Sequence, residues 1–235
     1  MKLSNRLQLV ADFVTKGNIL ADIGTDHGYI PVYLVMNDYI PRAYAMDIGK
    51  GPLERAREHI NEYKLVDRIE TRLSNGLDKL LKGEADTVLI AGMGGALTVD
   101  ILHRGKEVLD TVKEVILSPH SEWELVRNYM VEEGYEILRE EMIIDAGKYY
   151  VVMKWKKGED KINKDEEYTK EELLYGKLLL KNKDMVLKEY LLKEKDNYQK
   201  ILDSLNSYGK DNVDMRRKEI ELSIDILNQA LLYYV

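Results

Sequence analysis

Cysteine is absent from the 235 residues, which excludes disulfide frameworks, thiolate zinc sites, iron–sulfur clusters and cysteine nucleophiles together. No stretch approaches the ~20 apolar residues of a membrane span, and the amphipathic opening Met1-Lys2-Leu3-Ser4-Asn5-Arg6-Leu7 does not read as a secretory leader. Positive charge is in deficit: 35 basic residues face 42 acidic ones, giving a net charge of −7 and a pI near 5.3. Taken alone, that balance argues against a nucleic-acid partner, because phosphate binding rests on lysine and arginine. What is present, 45% hydrophobic and 33% charged residues, suffices for one or two domains with sizeable cores. A cytoplasmic enzyme or binding protein with no membrane association is expected. His59, His103 and His120 share no metal-ligand spacing, so no metal site is expected either.

Proline is scarce, and all four copies precede Lys157, as do most of the glycines. The segment Lys156 to Asp165 replaces periodic apolar residues with charge and glycine and is read as a linker. It divides the chain into a domain over 1–157 and a second over 158–235. In the first, Asn18–Ile23, Arg42–Met46, Ile69–Leu73, Thr87–Ala91 and Glu114–Leu117 predict buried strands. Helical patterns lie between them at Ile30–Asn37, Pro52–Tyr63, Leu77–Leu81, Ala96–Arg104 and Ser121–Glu132, with Ser121 as a cap. Strands alternating with helices imply a mostly parallel, Rossmann-like α/β sheet. Tyr135–Ile144 and Tyr149–Lys156, joined by Asp145-Ala146-Gly147-Lys148, predict an antiparallel terminal hairpin. In the tail, Leu173, Leu180, Leu187 and Ile201, then Val213, Ile220, Leu227 and Tyr234, fall on sevenfold spacing. Two helices joined through Asn206–Asn212 as an antiparallel coiled-coil hairpin are expected, with dimerisation through one long helix as the alternative. The hairpin reading makes the protein a monomer.

Ligands of such a sheet bind at the carboxyl ends of its strands, beside the first. That strand ends in Asp22-Ile23-Gly24-Thr25-Asp26-His27-Gly28-Tyr29, where Gly24 and Gly28 permit close backbone approach. Asp26 stands where a dinucleotide fingerprint has its second glycine; a carboxylate there repels a pyrophosphate and suits a cationic ligand end. The second strand ends at Asp47, placed to accept hydrogen bonds from ribose hydroxyls. Ser74-Asn75-Gly76 offers a short amide to an adenine edge, and Ala91-Gly92-Met93-Gly94-Gly95 bares its backbone at the fourth strand's end.

Together these segments resemble class I S-adenosylmethionine-dependent methyltransferases, and in particular the bacterial tRNA (adenine-N1)-methyltransferases that modify position 22. The resemblance spans the whole chain. It implies that Asp22, Gly24, Asp26, His27 and Gly28 line the methionine and sulfonium end of S-adenosyl-L-methionine. Asp47 with Ile48 would hold the ribose, Asn75 and Gly76 would meet the adenine, and Gly92, Met93, Gly94 and Gly95 would border the methyl-transfer site. Asn75 departs from the aspartate expected before glycine at that place.

Methylation at N1 uses a lone pair already present in neutral adenine, so positioning matters more than a strong base. Asp26 is the candidate to stabilise the developing purine cation, and His27 either orients substrate or bonds the turn. Tyr29 and Trp123 are candidates to stack on a flipped-out base, and His120 after the fifth strand could touch it. For tRNA phosphates, clusters at Lys2 with Arg6, at Lys148, at Lys154, Lys156 and Lys157, and at Arg216–Lys218 offer local positive charge despite the acidic total. A methyltransferase for another RNA, a protein or a small molecule remains the alternative, followed by a non-catalytic scaffold whose helices recruit a partner.

Overall fold

A computed structural model describes residues 1–158, 168–207 and 214–235. The chain divides into two compact units, Met1–Asn163 and Lys164–Val235. From residue 159 on, the linker expected at Lys156–Asp165 lies outside the described residues.

The first unit runs α1 (Asn5–Phe13), β1 (Leu20–Ile23), α2 (Tyr29–Met36), β2 (Ala43–Asp47), α3 (Lys50–Glu62), β3 (Ile69–Leu73), β4 (Thr87–Ala91), α4 (Gly95–Arg104), α5 (Lys106–Leu109), β5 (Glu114–Ser118), α6 (Trp123–Glu132), β6 (Tyr135–Asp145) and β7 (Lys148–Lys157). Its seven-stranded sheet has the order β3-β2-β1-β4-β5-β7-β6, with β1 to β5 parallel and β7 antiparallel to both neighbours. The apolar runs become strands because helices cover both sheet faces: β1 is buried throughout, and β2 and β4 in all but their last residue. Chain direction across the sheet reverses between β1 and β4, so their carboxyl-end loops splay apart into a crevice. The two-residue turn Ala146-Gly147, with φ of 48° and 75°, closes the hairpin as expected.

Two local expectations are corrected. Leu77–Leu81 forms turns and no helix, because neighbouring side chains take the backbone groups a helix would pair. Ser74 Oγ accepts the Lys79 N–H, Arg72 donates to the Lys79 carbonyl, and Glu84 accepts the Leu81 N–H. Ser121 does not cap α6; Glu122, at φ 56°, occupies the cap position without a side-chain bond. The amphipathic N-terminus is a helix, α1, capped by Ser4 Oγ accepting the Leu7 N–H and burying Val10 and Phe13.

In the second unit the expected first helix is broken. A π-helical turn (Glu172–Gly176) leads into α7 (Lys177–Lys181), and α8 (Met185–Ser207) starts afresh. The cause is Asp184, whose Oδ1 accepts from the Val186 and Leu187 N–H groups, with Lys183 turned to φ 53° before it. α9 (Asp214–Leu232) runs antiparallel to α8: the Tyr234 hydroxyl returns to the Asp184 carbonyl, and Lys195 reaches Asn228. Leu180, Leu187, Leu191, Ile220 and Leu227 are buried as the spacing requires, while Ile201 is 37% exposed. The connecting turn, with Val213, falls outside the described residues from 208 to 213. Among the described residues, no helix is long and apolar enough to cross a membrane.

Candidate functional site

The loop after β1 is held open by its own backbone. Gly24 and Thr25 both donate to the Met46 carbonyl at the end of β2, at 2.8 and 3.0 Å. Gly24, His27 and Gly28 all adopt positive φ, of 76°, 61° and 63°. A side chain at Gly24 would overlap the Met93 terminal methyl, so this glycine keeps bare backbone beneath the loop after β4.

Asp22 sits at the base of the crevice, buried to 7% exposure. Burial pushes its carboxyl up to about 6; the Thr25 hydroxyl opposes the rise and the Asp47 carboxylate adds to it. At the end of β2, Asp47 Oδ1 accepts the Gly49 N–H at 2.6 Å, and its carbonyl accepts the Ser74 N–H at 2.8 Å. Ile48 follows, 68% exposed, an apolar side chain standing free at the mouth. Asn75 is exposed and accepts from Arg104 at 3.2 Å; Gly76, at φ 60°, packs against Ile101. Two carboxylates at adjacent strand ends, bare glycine backbone and an exposed aliphatic beside them fit a ligand joining an ammonium or sulfonium group to a nucleoside.

Asp26 and His27 occupy the rim. The Asp26 carboxylate, 63% exposed, is met by Arg55 of α3 at 2.8 and 3.2 Å and lies 3.6 Å from His27 Nε2. His27 stacks on Tyr29, with centroids 5.1 Å apart. His59 meets Tyr29 edge-on at 5.2 Å, and its Nδ1 lies 2.9 Å from the His27 carbonyl. These side chains, with Glu58 and Glu62, line an open depression of about 420 Å³. Arg55 escaped the sequence reading and His59 entered it only as a histidine without metal-ligand spacing, although Arg55, His59 and Tyr63 recur every four residues and so share the face of α3 that meets the glycine turn.

Across the crevice, the loop after β4 is joined to the loop after β5. Gly92 donates to the Ser118 carbonyl, and His120 donates to the Met93 carbonyl. Gly94 caps α4, and an added carbon on Gly95 would come within 2.8 Å of the Ser121 and Glu122 carbonyl oxygens. The Glu122 carboxylate accepts the Ala96 N–H at 3.0 Å. Trp123, the alternative stacking candidate, donates its indole N–H to the Pro119 carbonyl at 2.9 Å.

The three lysines expected to form one phosphate-binding face do not do so. β7 runs antiparallel to β5, which carries them toward the amino end of the sheet, opposite the crevice. Lys154 is an internal residue there: its ammonium contacts Glu114 at 2.7 Å, Thr15 Oγ1 at 2.6 Å and the Phe13 carbonyl at 3.0 Å. Burial pushes the Glu114 carboxyl up, yet Lys154 and the Thr15 and Thr87 donors hold it below the usual range. Lys156 pairs with Glu136, and Lys157 pairs with Asp110 above the Tyr135 ring. A partly open pocket lined by Lys157, about 130 Å³, is small for a nucleoside-sized ligand. No metal-binding group of three or more His, Asp or Glu occurs among the described residues.

Residues 3–153 match the family described as a methyltransferase domain. The chain is 32% identical over 232 residues to the tRNA (adenine(22)-N(1))-methyltransferase of Bacillus subtilis (strain 168), covering 98% of both. The crystal structure of the B. subtilis M1A22 tRNA methyltransferase TrmK superposes with a TM-score of 0.88 over 98% of this chain and 99% of that one, at 32% identity. The M. capricolum TrmK structure, in complex with the cofactor product S-adenosyl-homocysteine, gives 0.85 over 99% of each chain at 30% identity.

Proposed function

Because the chain belongs to the tRNA (adenine(22)-N1)-methyltransferase family, we propose that it transfers a methyl group from S-adenosylmethionine to N1 of adenine 22 in tRNA. The observation that carries this reading is the acidic, glycine-bearing crevice between the loops after β1 and β4, on a chain that matches its relatives from end to end. The cofactor, when bound, supplies an electrophilic methyl group on a sulfonium.

The chain's own residues bind and orient. A cationic ligand end beside Asp22 restores the ionised form that burial disfavours, so Asp22 anchors that end. Asp47 accepts from ribose hydroxyls with Ile48 beside it, while Asn75 and Gly76 take the adenine. Gly24 and Gly28 keep the turn open, and Gly92 with Met93 closes the opposite side. Tyr29, 39% exposed and backed by His27, is the platform for the target base, with Gly94 and Gly95 bordering it. The base brings its own lone pair, so no group need remove a proton before attack, and the site acts by proximity and exclusion of water. Asp26 and His27 are assigned to stabilising and orienting the purine as it becomes cationic. An unchanged turnover in Asp26→Asn at saturating cofactor removes that role from Asp26.

The partner is tRNA, bound by a cytoplasmic monomer. The remoteness of Lys154, Lys156 and Lys157 from the crevice leads us to seek phosphate contacts elsewhere. Incubation with labelled S-adenosylmethionine and unmodified tRNAs, followed by nucleoside analysis, should yield N1-methyladenosine. Label appearing only in protein or small molecules refutes the reading.

A further inference from the structure

Beside the loop after β4, on the side away from Tyr29, three elements bring a second group of side chains together. Arg6 of α1 places Nη1 2.7 Å from Nε2 of His120, which follows β5. The same guanidinium lies 5.0 Å from the ring centroid of Tyr150 on β7, and His120 meets that ring edge-on at 5.5 Å. Gly92 adjoins both: a carbon added there would stand 3.7 Å from His120 Nε2 and 3.9 Å from Arg6 Nη1. Lys148, exposed at the β6–β7 turn, adds a second cation.

Most arginines of the first unit pair with a carboxylate, as Arg55 does with Asp26 and Arg72 with Glu84. Arg6 makes no such pair among the described residues: its side chain meets an imidazole nitrogen and an aromatic face, and the nearby Asp145 carboxylate accepts the Arg6 main-chain N–H. The Arg6 donor calls for an unprotonated Nε2 on His120. Burial, Arg6 and Lys148 together push the His120 pKa down and keep the imidazole neutral. The result is a guanidinium held by stacking and one hydrogen bond, with further donors left over and no ion pair to a carboxylate among the described residues. A phosphodiester supplies the matching acceptor, since its two free oxygens take paired guanidinium N–H bonds.

We propose that Arg6, oriented by His120 and Tyr150 and assisted by Lys148, binds a backbone phosphate of the tRNA next to the methylated nucleotide. The proposal rests on the functional reading above and adds to it where the RNA backbone is gripped. The Gly92–Gly95 loop then lies between phosphate and base, and a nucleotide is held from both sides of that loop.

The test measures tRNA binding by the full-length protein over a series of salt concentrations, beside S-adenosylmethionine affinity and KM for tRNA. Arg6→Gln should raise the tRNA Kd and KM about tenfold and lower the slope of log K against log salt by about 0.7 to 1, with cofactor affinity within twofold of wild type. Arg6→Lys, which keeps the charge but loses the fork, should restore the slope and only part of the affinity. An unchanged tRNA Kd and slope in Arg6→Gln overturns the proposal. So does a loss of tRNA and cofactor affinity in equal measure with the slope unmoved, which would make Arg6 a prop for the Gly92 loop. If Arg6→Gln fails to fold, Lys148→Gln decides: a weaker tRNA Kd with a reduced slope supports the site, and an unchanged one overturns it. A wild-type protein that makes no N1-methyladenosine strikes the functional reading, whereas wild-type activity with indifferent variants strikes this site alone.

Discussion

Replacing Asp22 by Asn should make the ligand-free protein more stable and a poorer methyltransferase. The wild-type carboxyl is buried at the base of the crevice with its pKa pushed up to about 6, against 3.8 when unperturbed. A carboxyl raised in this way favours the folded state fully only below pH 3.8. That advantage is lost as pH rises through 6, because the folded protein must then hold a desolvated charge. At 1.36 kcal/mol per pH unit, the gap is worth about 3 kcal/mol at pH 8 and roughly half that at pH 5. Asn keeps the shape and carries no charge. In thermal unfolding without ligand at pH 8, Asp22→Asn should melt ~6–12 °C above wild type, at ~2–4 °C per kcal/mol for a chain of this size. The gain should shrink by about half at pH 5. Saturating S-adenosylmethionine should reverse the order, since it stabilises the fold in proportion to its affinity and the variant has lost the anchoring carboxylate. A variant no more stable than wild type at pH 8, or a gain independent of pH, would refute the reasoning.

Gly95→Ala places a carbon 2.7–2.8 Å from the backbone and Cβ of the 121–122 turn. Set against a helix-propensity gain of ~0.5–1 kcal/mol, overpacking should leave a net loss of about 1–2 kcal/mol in urea unfolding, whereas Gly94→Ala, with its nearest atom at 3.5 Å, should cost little. Glu140→Gln leaves Arg127 without the carboxylate it meets at 2.7 Å, with both side chains almost fully buried. A loss of ~3–5 kcal/mol by the same measurement is expected. Lys154→Met should also destabilise by ~3 kcal/mol, because it strands Glu114, while the salt dependence of tRNA binding stays at the wild-type slope.

The parallel core was legible because β1, β2, β4 and β5 are buried on both faces and so read as uninterrupted apolar runs, with bounds close to those found. The edge strand β3 was also expected to be buried, but at the sheet edge only Ile69 is buried and Leu73 is 47% exposed. The gathering of the candidate loops at one crevice was legible for a related reason: they stand at strand ends, where sequence position is spatial position. Side chains whose partners are distant in sequence were harder to read. Lys154 looks like a surface lysine until pairing with β5 sets it beside Glu114, and Arg6 meets His120 across 114 residues. The break before α8 did carry a local signal, since Asp184 three residues ahead of Leu187 is an N-cap spacing; the sevenfold repeat running across it concealed the stop.

The backbone contact at Gly95 also bears on how the chain tolerates changes of length. Because the segments after β4 and β5 touch through a glycine with no room for a methyl group, and Glu122 ties them again at Ala96, a residue inserted into either would displace both. Gly83, Gly134 and Gly147 turn in open space, where an added atom meets nothing within 4 Å. Peptide tags or inserted segments belong at Gly83 and Gly134, since the Gly147 turn carries Lys148, and the 92–95 and 118–122 segments can be exchanged with a relative only as a matched pair.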